Sequence, residues 1–131
     1  MTERHAACSC GQLSVRVRGE PVRISVCHCL ACQRRTGSPF GFQARFPAGD
    51  VEIRGESVRY ARMSDEGNRL SFYFCPACGA TVYYQIESDP DLIAVPVGAF
   101  ADPLFPPPTF SVYESRRHHW VGLPDNIEHL D

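Results

Sequence analysis

Seven cysteines are the residues of this chain best equipped for chemistry, and they fall in three short clusters. Cys8-Ser9-Cys10-Gly11 stands near the start. Cys27-His28-Cys29-Leu30-Ala31-Cys32 follows, and Cys75-Pro76-Ala77-Cys78-Gly79 lies past the middle. Thiols that only packed a core would be scattered through apolar runs, whereas thiols at ligand spacing ask for a soft metal ion. A closed structural zinc takes four protein ligands; a reactive zinc keeps three and leaves one position for water or substrate. Two pairs and a triplet supply one of each.

Local geometry divides the work. Cys75-Pro76-Ala77-Cys78-Gly79 is a knuckle pattern, with Gly79 free to take the positive φ that the turn needs. Cys8 and Cys10 are expected to alternate along an extended segment and point to one face. These two pairs then close a structural site. Cys27, Cys29 and Cys32 are local and are read as the catalytic zinc site, open to a small thiol. Other readings stand beside this one. A disulfide framework would suit a small secreted chain, but the odd cysteine count and the polar, charged Met1–Ala7 segment, unlike a leader, count against it. The triplet is alternatively structural, closed by His28, another side chain or a neighbouring subunit. In an extended segment His28 points away from its flanking cysteines, as a supporting or packing residue does.

The elements that position these residues come from the rest of the chain. At 131 residues one domain is expected, spanning 1–131. An apolar share of 44% excludes a disordered chain, and a net charge of −2 without a basic stripe speaks against nucleic acid as a main partner. Loading two zinc ions on seven thiolates would take the formal charge to about −5. No apolar run approaches a membrane span, so a cytoplasmic location away from membranes is expected. All 13 basic residues are arginine. Codon bias accounts for that; an aldehyde-handling protein without Schiff-base-forming amines is the other reading.

Period-two alternation dominates. Leu13–Val17 reads as a strand and Val22–Val26 as another running into Cys27. Gln33–Thr36 is the stretch with a claim to helix, stopped by Gly37 and Pro39. Phe40, Phe42, Ala44 and Phe46 give an aromatic strand face, and short strands follow around Gly55. Arg69–Phe74 and Ala80–Ile86 flank the second knuckle, placing Cys75 and Cys78 at a hairpin tip. Leu92–Val97 and Phe110–Tyr113 complete the strands, separated by a proline-rich passage unfit for a central strand. Turns every eight to twelve residues predict an all-β, mainly antiparallel fold with little helix. The adjacent His118 and His119 face opposite ways if extended, which argues against a metal pair. Trp120 is expected to anchor the tail against the core.

Cys8-X-Cys10-Gly11, Cys27-His28-Cys29-X-X-Cys32 with the following Gly37 and Phe40, and Phe74-Cys75-X-X-Cys78-Gly79 resemble the glutathione-dependent formaldehyde-activating (GFA) family. The likeness continues through Val97-Gly98, the proline-rich passage and Trp120, so it covers nearly the whole chain. It implies a zinc-stabilised β-tent fold, with a structural zinc on Cys8, Cys10, Cys75 and Cys78. It also implies a catalytic zinc on Cys27, Cys29 and Cys32. The implied activity is that of a carbon–sulfur lyase acting on a thiol–aldehyde adduct such as S-hydroxymethylglutathione, with glutathione as co-substrate. A three-thiolate zinc suits a substrate thiolate beside an aldehyde carbon. Arg34 and Arg35, just after Cys32, are candidates to pair with glutathione carboxylates, or else form a solvated helix face. The alternative function is a non-catalytic zinc β-domain that binds a protein partner. Fold alone does not choose between them, and the oligomeric state is not legible.

Overall fold

The computed structural model describes residues 2–130. Its strands are β1 (Glu3–Ala7), β2 (Ser14–Arg18), β3 (Arg23–Cys27), β4 (Gly41–Pro47), β5 (Val51–Arg54) and β6 (Val58–Met63), then β7 (Arg69–Phe74), β8 (Thr81–Ile86), β9 (Leu92–Pro96), β10 (Phe110–Val112) and β11 (Glu128–His129). One α-helix among the described residues, α1 (Leu30–Thr36), interrupts the series. A small sheet runs in the order β1-β2-β5, and a large sheet in the order β11-β10-β3-β4-β9-β8-β7-β6. Pairing is antiparallel except at one margin, where β10 lies parallel to both β3 and β11.

Alternation decides which side chains meet between the sheets. Val15 and Val17 of β2 are fully buried against the large sheet, which offers Ile24, Ala44, Phe46, Ile93 and Val95. Each such aliphatic side chain taken from water contributes about 1.5–3 kcal/mol. Phe46 packs edge-on against Phe100, and Phe100 stacks on Phe105, which seals the core under the proline-rich passage. That passage forms no strand, as its prolines require.

The opposite face of the large sheet is built from the other parity. Arg23, Ser25 and Cys27 of β3 alternate with the core residues Ile24 and Val26, and Gln43 and Arg45 alternate with Ala44 and Phe46 on β4. A second apolar cluster of Leu70, Phe72, Tyr84 and Ala94 covers part of this face. One sheet therefore separates a dry core from a polar cavity.

Three expectations need correction. Cys8 and Cys10 do not sit on an extended segment. Gly11 has φ 85° and its N–H meets the Cys8 carbonyl at 3.0 Å, so the pair occupies a turn. The helix begins at Leu30, earlier than the Gln33–Thr36 stretch suggests, because Cys29 caps it. Trp120 is 67% exposed and meets the edge of His118; Val121 and Ile127 are the buried residues of the tail. β1 and β11 carried no alternation signal, since only Ala6 is buried in β1 and neither residue of β11 is. No helix among the described residues is long and apolar enough to cross a membrane.

Candidate metal sites and the adjoining cavity

Cys8, Cys10, Cys75 and Cys78 form one group whose Sγ atoms lie within 4.8 Å of one another, and Cys27, Cys29 and Cys32 form a second. The first group joins two hairpin tips of matching design. Cys8 N–H donates to the Leu13 carbonyl at 2.9 Å, and Cys75 N–H donates to the Ala80 carbonyl at 3.0 Å. Gly79, with φ 81°, closes the second tip as Gly11 closes the first. Neighbouring sulfurs stand 3.6 Å apart for Cys8–Cys10 and 3.7 Å for Cys10–Cys75. A tetrahedron of Zn–S bonds near 2.3 Å has edges of roughly 3.8 Å, so these thiols are already at coordination spacing. All seven cysteines are free thiols, which leaves the disulfide reading without support.

Hydrogen bonds converge on two of the sulfurs. Leu13 N–H donates to Cys8 Sγ at 3.3 Å, Ala77 N–H donates to Cys75 Sγ at 3.3 Å, and the Gln12 amide donates to Cys75 Sγ at 3.0 Å. Against the desolvation that raises it, bonds from Gln12 and from the backbone of Cys78 and Ala77 draw the Cys75 thiol down to about 6. At Cys10 the Gln12 backbone lowers the thiol, but hydrogen bonds with Cys8 and Cys75 push it up to about 11. Crowded thiols without a cation ionise one at the expense of another.

The triplet is folded by its own helix. Cys27 ends β3, and Cys29 is the N-cap of α1, its Sγ accepting the Cys32 N–H at 3.3 Å. Cys32 occupies the first turn, so strand end, cap and turn bring three sulfurs to one point. All three are buried at 6–7% exposure. Hydrogen bonds with Cys27 and Cys32 hold the Cys29 thiol far below its ordinary value, while the bonds with Cys29 and Cys32 push Cys27 upward. Three buried thiols that cannot all ionise together fit a divalent cation, which would stabilise all three thiolates. His28 points away from them, fully buried, with Nε2 3.0 Å from Ser111 Oγ and its ring edge-on to Phe40. It is a packing residue of the site's support.

The two groups differ in what surrounds them. A cavity of ≈ 140 Å³ opens beside Cys27, Cys29 and Cys32, walled by β3, β4, β7 and β8 and rimmed by Tyr113 and the Ser64–Asn68 turn. Arg35 reaches this cavity, its guanidinium 4.9 Å from the Phe72 ring and 5.5 Å from Tyr84. Arg34 does not. Successive helical residues point about 100° apart, and Arg34 lies in a shallow surface groove with Leu30, Pro39, His118 and Trp120. His118 bonds Gln33 Oε1 at 2.9 Å and takes part in neither cysteine group.

Sequence reasoning missed Tyr113 and Gln12. Tyr113 adopts φ 56°, lines the cavity, and donates its hydroxyl to Glu66 at 2.6 Å, tying the turn to the tail. Burial, then the Glu66 carboxylate, pushes its phenol upward. A left-handed tyrosine carries no mark in the sequence. Gln12 directly follows the Cys10-Gly11 turn, and its nearness to the cluster was its one available signal.

Fold and thiols together define a β-sheet protein with two cysteine groups able to hold metal ions. The model of the glutathione-dependent formaldehyde-activating enzyme family matches residues 3–116, and the chain belongs to that family. A crystal structure of a Rhodobacter sphaeroides protein has a similar fold, with TM-score 0.60 and 22% identity over 78% of this chain and 91% of that one. No curated protein matches the chain.

Proposed function

We propose that the chain is a zinc-dependent carbon–sulfur lyase acting on a thiol–aldehyde adduct such as S-hydroxymethylglutathione, made from glutathione and formaldehyde. The observation that carries this reading is the contrast between the two cysteine groups. Four sulfurs at coordination spacing complete a structural site; three sulfurs facing a cavity leave room for a ligand from outside. Zinc held by Cys27, Cys29 and Cys32 would supply a cationic centre that favours a substrate thiol in its thiolate form.

The chain's own residues do the rest. The cavity holds the thiol and the aldehyde side by side, and this proximity supplies much of the acceleration. Sulfur attacks the aldehyde carbon, a carbon–sulfur bond forms, and the carbonyl π pair moves to oxygen, which takes up a proton. The reverse course breaks the same bond and returns the proton to sulfur. A hydrogen bond with Cys27 lowers the Cys32 thiol, but the bond with Cys29 and burial push it upward on balance, and Arg35 at the cavity wall offsets part of that rise.

The test follows formation and decay of the adduct by NMR with labelled formaldehyde and glutathione. Zinc-loaded wild type is expected to speed exchange, and Cys29→Ser is expected to abolish the effect while keeping its fold and one zinc. Equal exchange rates with and without the protein would remove this reading. A partner-binding module has one observation in its favour. Leu30 and Trp120 expose half or more of their surface beside the same groove.

A further inference from the structure

Arg23 and Arg45 sit directly opposite each other on β3 and β4, and both line the cavity. Like charges at a cross-strand pair destabilise a sheet. Ion pairing among the described residues relieves this one on the Arg45 side alone. Arg23 has no carboxylate within 4.0 Å, and Arg45 reaches only Asp89, at 3.9 Å. The Nε atoms of both are buried and lack a hydrogen-bond partner there. The acidic residues at the rim are engaged elsewhere, Glu66 by Tyr113 and Asp65 by Arg116 at 3.7 Å. Burial, then repulsion from Arg45, lowers the proton affinity of Arg23.

Gln43 shares their face of the sheet. It is 4% exposed, lines the same cavity, and uses one end of its amide on Ser25 Oγ at 3.0 Å; the other end has no partner. Amide orientation follows from hydrogen bonding. Gln43 Nε2 donates to Ser25 Oγ, so the unpartnered end is Oε1, an acceptor. Along β3 the order on this face is Arg23, Ser25, Cys27. The cationic wall therefore lies up to about 13 Å in Cα distance from the triplet, by four steps of strand rise, and arginine side chains shorten that span.

We propose that Arg23 and Arg45 bind a carboxylate of the molecule whose sulfur reaches Cys27, Cys29 and Cys32. This rests on the thiol-binding reading of the triplet and adds to it where the anionic end of the thiol is held. Charge-assisted bonds from two guanidinium groups orient it along β3.

The experiment uses protein carrying cobalt in place of zinc, titrated with 4-mercaptobutanoate and with its methyl ester, which differ in charge. The thiolate-to-cobalt absorption reports binding. The acid is expected to bind about tenfold or more tightly than the ester. Arg23→Gln and Arg45→Gln are each expected to remove most of that difference, leave ester binding unchanged, and not lower the melting temperature. A merely structural arginine would not separate acid from ester. Equal binding of acid and ester overturns the carboxylate subsite and leaves the thiol reading intact. If cobalt ignores both thiols, the thiol reading fails, and a second arm decides the subsite alone. There the Nε–H signals of Arg23 and Arg45 are followed by NMR during titration of zinc-loaded protein with glutarate. Their movement supports the cationic wall; no movement up to roughly 10 mM overturns it.

Discussion

Gln12 shows how much one side chain carries beside the four-cysteine group. Its amide donates to Cys75 Sγ at 3.0 Å and to the Glu56 carbonyl at 2.7 Å, and its Oε1 accepts the Glu56 N–H at 3.0 Å. That clamp needs the chain at Gly55 to pass close by. A Cβ on Gly55 would lie 1.9 Å from the Gln12 carbonyl oxygen, and the backbone there has φ 102°. Gly55→Ala is therefore expected to cost roughly 2–5 kcal/mol, from backbone strain plus overpacking. It should also loosen metal at the four-cysteine group before the triplet. Denaturant melts with metal analysis check this; a variant of wild-type stability would mean that the Gln12 turn is not held. The metal candidates were legible because coordination dictates residue type and spacing together. Gln12 and Tyr113 were not, since a hydrogen bond to sulfur or a strained φ leaves no pattern in the chain.

At the scale of elements, the large sheet closes through Glu114. Its carboxylate accepts the Ser111 hydroxyl at 2.6 Å and stands 2.7 Å from His129 Nδ1, so it ties β10 to β11. Against burial, which raises it, those bonds hold the Glu114 carboxyl below the usual carboxylate range. The sign follows from linkage. A carboxyl lowered by folding contributes stability that is present above its unfolded value and is lost as pH falls through its folded one. Glu114→Gln is expected to be less stable than wild type near neutrality, with the gap narrowing as pH falls below about 4.5. Thermal melts of both proteins across pH 3 to 7 test this; a constant gap would show that the carboxylate charge contributes nothing. The interior strands were legible through alternation, for instance Phe42, Ala44 and Phe46 on β4. The margins were not. β1 and β11 are fixed by backbone pairing with almost no buried side chain, and the parallel match of β10 to β3 depends on a long connection that local pattern cannot see. The start of α1 was hidden because cysteine is an unusual cap, and Trp120 misled because its size suggests burial that the tail does not provide.

Over the whole molecule, the two cysteine groups hold different things together. The four-thiolate group joins the β1–β2 tip of the small sheet to the β7–β8 tip of the large one. Metal bound there would pin one sheet upon the other at the edge of the main core. The triplet sits on the far face of the large sheet, and strand end, cap and first helical turn form it within six residues. Metal at a site that joins separate parts of the fold is folding energy, on the order of 10 kcal/mol in small zinc modules. Metal at a local site held by three sulfurs beside a cavity is not, and with one protein ligand fewer it is the less tightly held, although Cys10 and Cys78 of the other group are the more exposed thiols. Zinc removal should therefore proceed in two steps. A moderate chelator is expected to take about one zinc per chain with the β-sheet circular dichroism unchanged, and a stronger or longer treatment to take the second with loss of the fold. Cys29→Ser should begin at the end of the first step, folded with about one zinc, and Cys78→Ser should yield an unfolded or insoluble chain. Simultaneous loss of both metals with the fold would make the triplet structural. A folded Cys78→Ser protein retaining its full zinc would show that the sheets do not depend on the four-thiolate tie.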